Sequence, residues 1–283
     1  MFSRIKALLL QKQFSVEMKN LKLFFVLLVF PLCVYSQQAR EEIAADNCVS
    51  GSNYYAYPGP RADGLTPAPK GYKPVYISHY GRHGSRWLPS EERYTWVMAW
   101  FEDKSRLTPL GKSVRQRLKT ICRNARGHAG ALTPLGASQH RGIAQRMAEN
   151  YPEVFGTGDG TRILARSSTS PRCRASMLAF CDELRSLASR LSPLTSFSVE
   201  TRPADMTYIN NESAELKALT ACTQRLPDIS PDRFLSALFK DPAAISRDDA
   251  LKLLGELHTI ASDMQDIPLD ISLWDIFTPE EML

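Results

Sequence analysis

The chain has 283 residues, of which 43% are hydrophobic and 23% charged, a composition typical of a folded globular protein with one large core or two modest domains. Residues 1–36 contain five basic residues and one acidic residue, so the rest of the chain carries only about +1 of the net charge of +5. This balance gives no support to nucleic-acid binding, and any anion site has to be local.

The first 36 residues have the pattern of a leader. Met18 begins a short basic stretch, an apolar run follows over 23–32, and Ser36 precedes Gln37. We predict that 1–36 is a leader with a secretory signal peptide over 18–36. Because the apolar run is short, we expect a secreted or periplasmic protein with no stable membrane span apart from the leader, or a membrane-associated one if the leader is not cleaved.

The cysteines and histidines give no sign of a metal site. The six cysteines contain no Cys-x-x-Cys, and the five histidines have no spacing typical of metal ligands. We therefore expect no metal site.

The middle of the chain alternates between predicted strands and helices. After an irregular stretch over 37–70, a strand is predicted at Val75–His79, and a long helical stretch follows. The pentapeptide Leu-Thr-Pro-Leu-Gly occurs there twice, at 107–111 and 132–136, with Thr at a helix N-cap and Pro at the first helical position. Two similarly capped helices explain both copies.

A second strand is predicted at Arg162–Ala165, after a glycine-rich turn at 156–160. Ser170 is predicted to cap a helix that begins at Pro171 and ends near residue 191. The sequence further predicts a third strand at 197–200 and helices at 214–222, 231–239 and 247–263.

Strands that alternate with long helices predict an α/β fold. We expect a three-layer α-β-α core, incomplete in this chain, with an additional helical cap region. Residues 37–200 are assigned to the N-terminal part of the core, including a helical insertion, and 201–283 to the helical cap segment. The capping box Thr278-Pro-Glu-Glu281 begins a helix that only two residues continue, so we expect the chain to be a truncated piece.

The residues that carry chemistry follow the first two predicted strands. His83 lies between Arg82 and Arg86, whose guanidinium groups match phosphate oxygens, and a neutral imidazole can attack phosphorus once those oxygens are neutralised. The second strand leads into Arg166, and Arg172 falls in the first turn of the next helix, where the helix dipole favours an anion. Since ligands of open α/β sheets bind beyond the carboxyl ends of strands, we predict a phosphate pocket here.

Three motifs together resemble those of the histidine acid phosphatases, which include phytases and multiple inositol polyphosphate phosphatase. They are Arg-His-Gly-x-Arg at 82–86, Leu-Thr-Pro-Leu-Gly-x-x-Gln at 132–139, and a segment over 166–176 that begins with Arg166-Ser167 and continues to Arg172 and Ser176. The resemblance covers about 70–200 well and 201–283 more loosely. It implies a cofactor-free phosphomonoester hydrolase that acts on a phosphorylated small molecule, with inositol polyphosphates as the favoured substrate class.

The resemblance also implies roles for single residues. His83 would be the nucleophile that forms a phosphohistidine. Arg82, Arg86 and Arg172 would bind the phosphoryl oxygens, and Arg166 would support them. Thr133 and Gln139 fit a structural helix motif, and His79, which lacks arginines on both sides, is assigned a positioning or packing role.

The proton donor of the family lies in a His-Asp or His-Ala-Glu motif near the C-terminus. The last histidine here, His258, is followed by neither, so we interpret it as a structural residue and predict no proton donor in this chain. We therefore expect little turnover and poor solubility from the chain as given. A protein that binds phosphate esters without hydrolysing them, or an inactive fragment, stays open as the alternative.

Overall fold

The structure is a computed structural model that describes residues 38–60, 66–155, 162–191, 196–201, 213–223 and 230–282. The predicted leader and the glycine-rich turn at 156–160 lie outside the described residues. The chain divides into two compact units. Of the described residues, 38–50 and 278–282 belong to one unit, and those from Gly51 to Phe277 belong to the other.

Helices predominate in the described residues. They are α1 (38–45), α2 (Glu91–Trp100), α3 (Pro109–Ala125), α4 (Pro134–Asn150), α5 (Pro152–Phe155), α6 (Pro171–Leu191), α7 (Ala214–Thr223), α8 (Asp232–Leu238), α9 (Arg247–Asp263) and α10 (Pro279–Met282). Short 3₁₀ helices cover Asn47–Tyr54, Lys104–Arg106, Pro242–Ala244 and Trp274–Ile276. Two strands, β1 (Arg162–Ser167) and β2 (Ser196–Thr201), pair in parallel.

Most predicted elements are confirmed. Both strands of the pair were predicted, as were α6 and the three helices that follow β2. Thr108 and Thr133 cap α3 and α4 with their side chains. In the other unit, the Glu281 carboxylate accepts a 2.9 Å hydrogen bond from the Thr278 N–H, as a capping box requires.

The strand predicted at Val75–His79 is wrong. Residues 72–84 are irregular and pair with no described strand. A strand needs a neighbouring backbone for its N–H and C=O groups, and no described strand provides one to this segment. Apolar side chains of the segment, such as Tyr76 and Tyr80, are therefore about four-fifths exposed (78% and 81%). The described residues contain this one two-stranded sheet, so the three-layer core stays a prediction.

The predicted start of α6, with Ser170 as the cap residue, is confirmed, but the Ser170 side chain makes no capping hydrogen bond. The Ser170 carbonyl accepts hydrogen bonds from the N–H groups of Cys173 and Arg174, so Ser170 does stand at the start of the helix. Its hydroxyl, however, is buried and has no hydrogen-bond partner among the described residues. The backbone alone therefore makes the cap.

Both copies of the repeated pentapeptide bind a second segment of the chain as well as beginning a helix. In the first copy, the Thr108 N–H donates to the Leu238 carbonyl at 3.1 Å, and Leu107 forms an isolated antiparallel bridge with Phe239. A Cβ atom added to Gly111 would lie 2.1 Å from that same carbonyl oxygen, so only glycine lets the segment approach so closely. The second copy does the same at the candidate site.

The apolar core of the larger unit has two parts. In one, α2 packs against α3 and α9, and α3 packs against α8. In the other, α4 packs against α6, and α6 contacts β1. The first part contains, among other buried side chains, Tyr94, Val97, Val114, Leu118, Ile121, Phe234, Leu238, Leu253, Leu257 and Ile260. These two parts of the core position α4, α6 and the end of α9 around the loop formed by residues 82–86.

Among the cysteines of the described residues, those at 122, 173 and 181 are free thiols. Within the described ranges, none of the helices has the length and hydropathy needed to cross a membrane. In the same ranges, no three metal-ligating side chains cluster.

Candidate functional site

The site is built on residues 82–86, which we call the histidine loop. The second pentapeptide, at 132–136, binds this loop through Thr133, in the same way as the first pentapeptide binds the Leu238 carbonyl through Thr108. The Thr133 backbone N–H and hydroxyl donate to the Ser85 carbonyl at 2.9 and 3.0 Å, and Arg86 forms an isolated antiparallel bridge with Leu132. Helix α4 therefore fixes the histidine loop from its first turn.

Three further hydrogen bonds fix the loop from the sides. The Ser85 N–H donates to Oε1 of Gln139 at 2.9 Å, and Nε2 of Gln139 donates to the Ser85 hydroxyl oxygen at 2.9 Å. The Gly84 N–H donates to the Ser176 hydroxyl of α6 at 3.1 Å. This anchoring matches the structural helix motif to which the sequence assigned Gln139.

The histidine loop crosses α4 so closely that both facing residues have to be glycine. A Cβ on Gly84 would lie 2.4 Å from the Gly136 carbonyl oxygen, and a Cβ on Gly136 would lie 2.2 Å from the Ser85 carbonyl oxygen. Both distances are well inside van der Waals contact, so any side chain here has to displace backbone.

His83 has a defined tautomer. Its Nδ1 lies 2.9 Å from the Gly84 carbonyl oxygen, and because a carbonyl only accepts, Nδ1 carries the proton in the neutral ring. Nε2 then keeps its lone pair. Burial lowers the pKa of His83, the Gly84 hydrogen bond raises it, and the positive charges of Arg172, Arg86 and Arg82 lower it further. The net direction is downward, which favours the neutral ring.

The three arginines that lower the pKa of His83 are the same three that were predicted from the sequence to bind phosphate. Arg82 donates from Nη1 to the Asn53 carbonyl at 3.1 Å. Arg86 is buried, donates from Nη1 to the Trp87 carbonyl at 3.0 Å, and has its guanidinium 5.2 Å from the centre of the Tyr54 ring. The Nε–H groups of Arg86 and Arg172 are buried and have no hydrogen-bond partner among the described residues.

A cavity of about 220 Å³ opens over the histidine loop. Arg82, His83 and Arg86 line it, and His140 and Ile143 of α4 form part of its wall. Three tyrosines from the irregular segment before the loop also contribute, at positions 54, 55 and 57. The cavity is large enough for a phosphoryl group and remains open to solvent.

Two buried acids at the end of α9 complete the site. The Asp266 carboxylate lines the cavity and accepts a 2.8 Å hydrogen bond from the Ser85 hydroxyl. Asp263, which is fully buried, accepts a 3.1 Å hydrogen bond from the Tyr94 hydroxyl. Burial, with repulsion from Asp266, raises the pKa of Asp263 to about 7, and burial raises that of Asp266 to about 6.

The Asp263→Asn variant is expected to be more stable than the parent above about pH 7, by roughly 2–4 kcal/mol, because the folded protein disfavours the charged carboxylate. The folded-state pKa lies above the unfolded value of about 4, so the parent loses stability as the pH rises from about 4 to 7. The difference between the two proteins should therefore vanish near pH 4. Denaturant unfolding across this pH range measures it.

Asp270→Asn is the matched control, because Asp270 is exposed. It should show no such pH-dependent difference. An Asp263→Asn protein that is less stable than the parent at pH 8 would contradict the buried-acid assignment.

The structure brings some of the predicted residues together and leaves others apart. Arg82, His83 and Arg86 share the cavity. Arg172 lies in the first turn of α6 and is not among the residues that line the cavity, although its charge lowers the pKa of His83. Arg166 is exposed on β1 and does not line the cavity.

The remaining histidines of interest make ring contacts away from the histidine loop. The His79 ring stacks on Phe180 at 5.3 Å. The His258 ring meets Trp274 and Phe277 edge-on.

Sequence reasoning missed Asp266, Asp263 and the tyrosines of the cavity wall. One signal for Asp263 existed. It follows Leu253, Leu257 and Ile260 at helical spacing, so it falls on the apolar face of α9, where an acid is unusual. Asp266 has no comparable signal, because only the packing of α9 brings it to Ser85.

No protein-family profile and no curated protein matches the chain. Several solved structures, in contrast, are similar to the chain. The multiple inositol polyphosphate phosphatase of Bifidobacterium longum, in complex with inositol hexasulfate, matches with a TM-score of 0.53 and 18% identity over 75% of this chain and 60% of that chain. Its complex with phosphate matches with a TM-score of 0.53 and 19% identity over 80% of this chain and 63% of that chain.

This chain shares their fold. The likeness confirms the predicted α/β class, since these neighbours are α/β enzymes, although helices predominate in the described residues. The chain spans about 60% of the length of the two solved structures. At this identity the likeness concerns the fold, and the activity has to be argued from the site.

Proposed function

We propose that the protein hydrolyses phosphomonoesters through a phosphohistidine formed on His83. The observation that carries the proposal is that Arg82 and Arg86 line one cavity together with His83, whose Nε2 is unprotonated in the neutral ring, while the charge of Arg172 also acts on that ring. A phosphoryl group carries its charge on oxygens that repel a nucleophile, so cations around the nucleophile are what the reaction requires.

The guanidinium groups have hydrogen-bonding capacity to spare for such a group. Arg86 and Arg172 each have a buried Nε–H that no described residue accepts, and a buried donor without a partner is costly in the free protein. Phosphoryl oxygens would accept these hydrogen bonds and neutralise the charges at the same time. Arg82, which is exposed and lines the cavity, would bind the third oxygen.

The electrostatics of His83 suit mildly acidic conditions. Burial and the three arginines lower its pKa, so the ring stays neutral below the pH at which an ordinary histidine becomes protonated. Substrate binding would bring negative charge beside the ring and raise this pKa again, which favours the charged imidazole of the phosphohistidine.

We further propose inositol polyphosphates as the substrate class. The motif resemblance favours them, and one of the solved structures similar to this chain is a multiple inositol polyphosphate phosphatase in complex with inositol hexasulfate. On this chain, Arg146 stands one turn beyond Ile143 on α4, with its guanidinium 5.9 Å from the centre of the Tyr57 ring. Arg146 therefore offers a further cation at the side of the cavity for a second phosphate. The signal-peptide pattern supports secretion or export to a periplasm.

Arg172→Ala tests the role of the arginines. It should lower kcat/KM for 4-nitrophenyl phosphate by about 100-fold or more, as expected when one donor to a reacting oxyanion is removed. The affinity for inorganic phosphate, measured by calorimetry, should fall as well.

Arg174→Ala is the matched control, because it removes the same charge from an exposed position in the same helix. It should behave as the parent does. Equal effects of the two substitutions would argue against a phosphate site at Arg172, and tight phosphate binding without any turnover would favour the non-catalytic alternative.

A further inference from the structure

Residues 51–57, which we call the tyrosine segment, contact two arginines of the histidine loop. The Asn53 carbonyl oxygen accepts the 3.1 Å hydrogen bond from Nη1 of Arg82. The next residue, Tyr54, has its ring against the Arg86 guanidinium, with 5.2 Å between the guanidinium carbon and the ring centre. A guanidinium at this distance is attracted to the electron-rich face of the ring. Two adjacent residues of the tyrosine segment therefore contact two of the proposed phosphate ligands.

The ring contact suits an arginine that has to bind an anion. Arg86 is only 9% exposed, and its Nε–H has no hydrogen-bond partner among the described residues. The N–H groups of a guanidinium all lie in its plane. Because the Tyr54 ring contacts the face of that plane, it restrains the group without using an N–H that a phosphoryl oxygen would accept. A carboxylate partner would instead occupy those N–H groups and neutralise the charge.

Tyr54 is itself bound by helix α2. Its hydroxyl oxygen accepts a 3.4 Å hydrogen bond from Nη1 of Arg93. Arg93 is fixed in turn by α9, because its Nε donates to the Glu256 carboxylate at 2.7 Å. The ring that contacts Arg86 is therefore also held at its hydroxyl end.

The backbone of the tyrosine segment is anchored to the C-terminal end of α9 on both sides of Tyr54. Gly51 lies directly against Ser262, since a Cβ added to it would be 3.1 Å from the Ser262 Cβ. The Ala56 N–H donates to Oε1 of Gln265 at 2.9 Å. Between these anchors the backbone of Ser52 has a φ of 49°, which residues other than glycine rarely adopt. Such strain persists only where the surrounding structure imposes it.

We propose that Tyr54 is a positioning residue for Arg86, an inference that rests on the proposed phosphate site around His83. The ring restrains the plane of the guanidinium, so that its N–H groups are ordered before phosphate arrives and less side-chain entropy is lost on binding. The strain at Ser52 arises because the segment has to turn between its two anchors for Tyr54 to reach Arg86. Tyr54 thus acts through Arg86 and takes no part in making or breaking bonds.

Calorimetry with inorganic phosphate on the full chain gives the first test. Tyr54→Leu should weaken phosphate binding by roughly 5- to 30-fold, the range for losing a cation–π contact that is partly or fully shielded from water. Tyr54→Phe keeps the ring and loses only the hydroxyl, so it should bind within about 3-fold of the parent. A Tyr54→Leu protein that binds phosphate as tightly as the parent would overturn the proposal.

Tyr72→Leu is the matched control, because it makes the same substitution at an exposed position that does not line the cavity. Its affinity for phosphate should equal that of the parent. Equal losses in Tyr72→Leu and Tyr54→Leu would mean that the effect is not specific to the contact with Arg86, and would contradict the proposal.

The reactivity of Arg86 gives a second test that needs no phosphate. Phenylglyoxal modifies accessible guanidinium groups, and peptide mass spectrometry measures the rate at each arginine. Arg86 should react severalfold faster in Tyr54→Leu than in the parent or in Tyr54→Phe. Arg115 of α3, which is as buried as Arg86 at 8% exposed, is the internal reference and should react at an unchanged rate. An equal increase at both arginines would indicate general loosening of the fold and would overturn the proposal.

Ser52 provides a further pair of variants, should Tyr54→Leu fail to fold. The residue is exposed, and glycine adopts a positive φ freely whereas valine does so only with strong steric strain. Ser52→Gly should therefore bind phosphate as the parent does, and Ser52→Val more weakly, with faster modification of Arg86. Identical behaviour of the two variants would contradict the proposal.

The two proposals fail differently. A parent that binds no inorganic phosphate contradicts the phosphate site, and the modification rates of Arg86 still decide whether Tyr54 restrains that side chain. A parent that binds phosphate, together with a Tyr54→Leu variant unchanged in both measurements, contradicts the role of Tyr54 alone.

Discussion

Phosphate release from 4-nitrophenyl phosphate is expected to fall by about 10,000-fold or more in a His83→Ala variant, because no other group replaces a covalent nucleophile. The arginines remain in this variant, and the histidine loop is anchored through Ser85 rather than through the His83 ring. The protein should therefore still fold and bind inorganic phosphate. Steady-state kinetics and calorimetry on the same preparation measure the two properties.

His79→Ala is the control for this experiment. His79 precedes the histidine loop by a few residues, and its ring stacks on Phe180 without lining the cavity. Most of the activity should survive its loss. If His83→Ala retained activity while His79→Ala lost it, the nucleophile would have been assigned to the wrong histidine.

Gly136→Ala is expected to destabilise the protein by about 3 kcal/mol or more, the upper range for forcing atoms into a packed region. Its new methyl group would lie 2.2 Å from the Ser85 carbonyl oxygen and 2.8 Å from the Ser85 nitrogen, so the backbone of the histidine loop has to move. The hydrogen bonds from Thr133 and Gln139 to Ser85 should weaken as well. Activity should fall together with stability, as denaturant unfolding and kinetics at low temperature will show.

Gly255→Ala makes the same substitution within α9, where the added Cβ meets nothing within 4 Å. Alanine is the better helix former, so this variant should gain up to about 1 kcal/mol. The two substitutions are expected to change the free energy of unfolding in opposite directions. This difference would show that the loss in Gly136→Ala comes from the close crossing and not from a general effect of alanine. A Gly136→Ala protein as stable as the parent would show that the histidine loop does not cross α4 as closely as described.

The local features of the site could be predicted from the sequence. Thr133 and Pro134 begin a helix for reasons contained in a few neighbouring residues, and Arg82, His83 and Arg86 lie within one loop, so their proximity needs no tertiary packing. The first turn of α6, which carries Arg172, was likewise predictable from Pro171.

The features that depend on distant partners could not be predicted. Residues 75–79 have the apolar pattern of a strand, but pairing decides whether such a pattern forms one, and no described strand pairs with them. Asp266 reaches Ser85 across 181 positions of the sequence through the packing of α9. The repeated pentapeptide was recognised as a capping motif, whereas its second role, binding a neighbouring carbonyl under a glycine, is visible only in three dimensions.

The central claim is that His83 accepts the phosphoryl group, and trapping that group tests it most directly. The chain is mixed briefly with 4-nitrophenyl phosphate, quenched with alkali, which preserves phosphohistidine, and digested for mass spectrometry. A phosphoryl group on the His83 imidazole is the predicted result, absent from His83→Ala and reduced in Arg172→Ala. A phosphoryl group on another residue, or release of phosphate without any phosphorylated protein, would contradict the account.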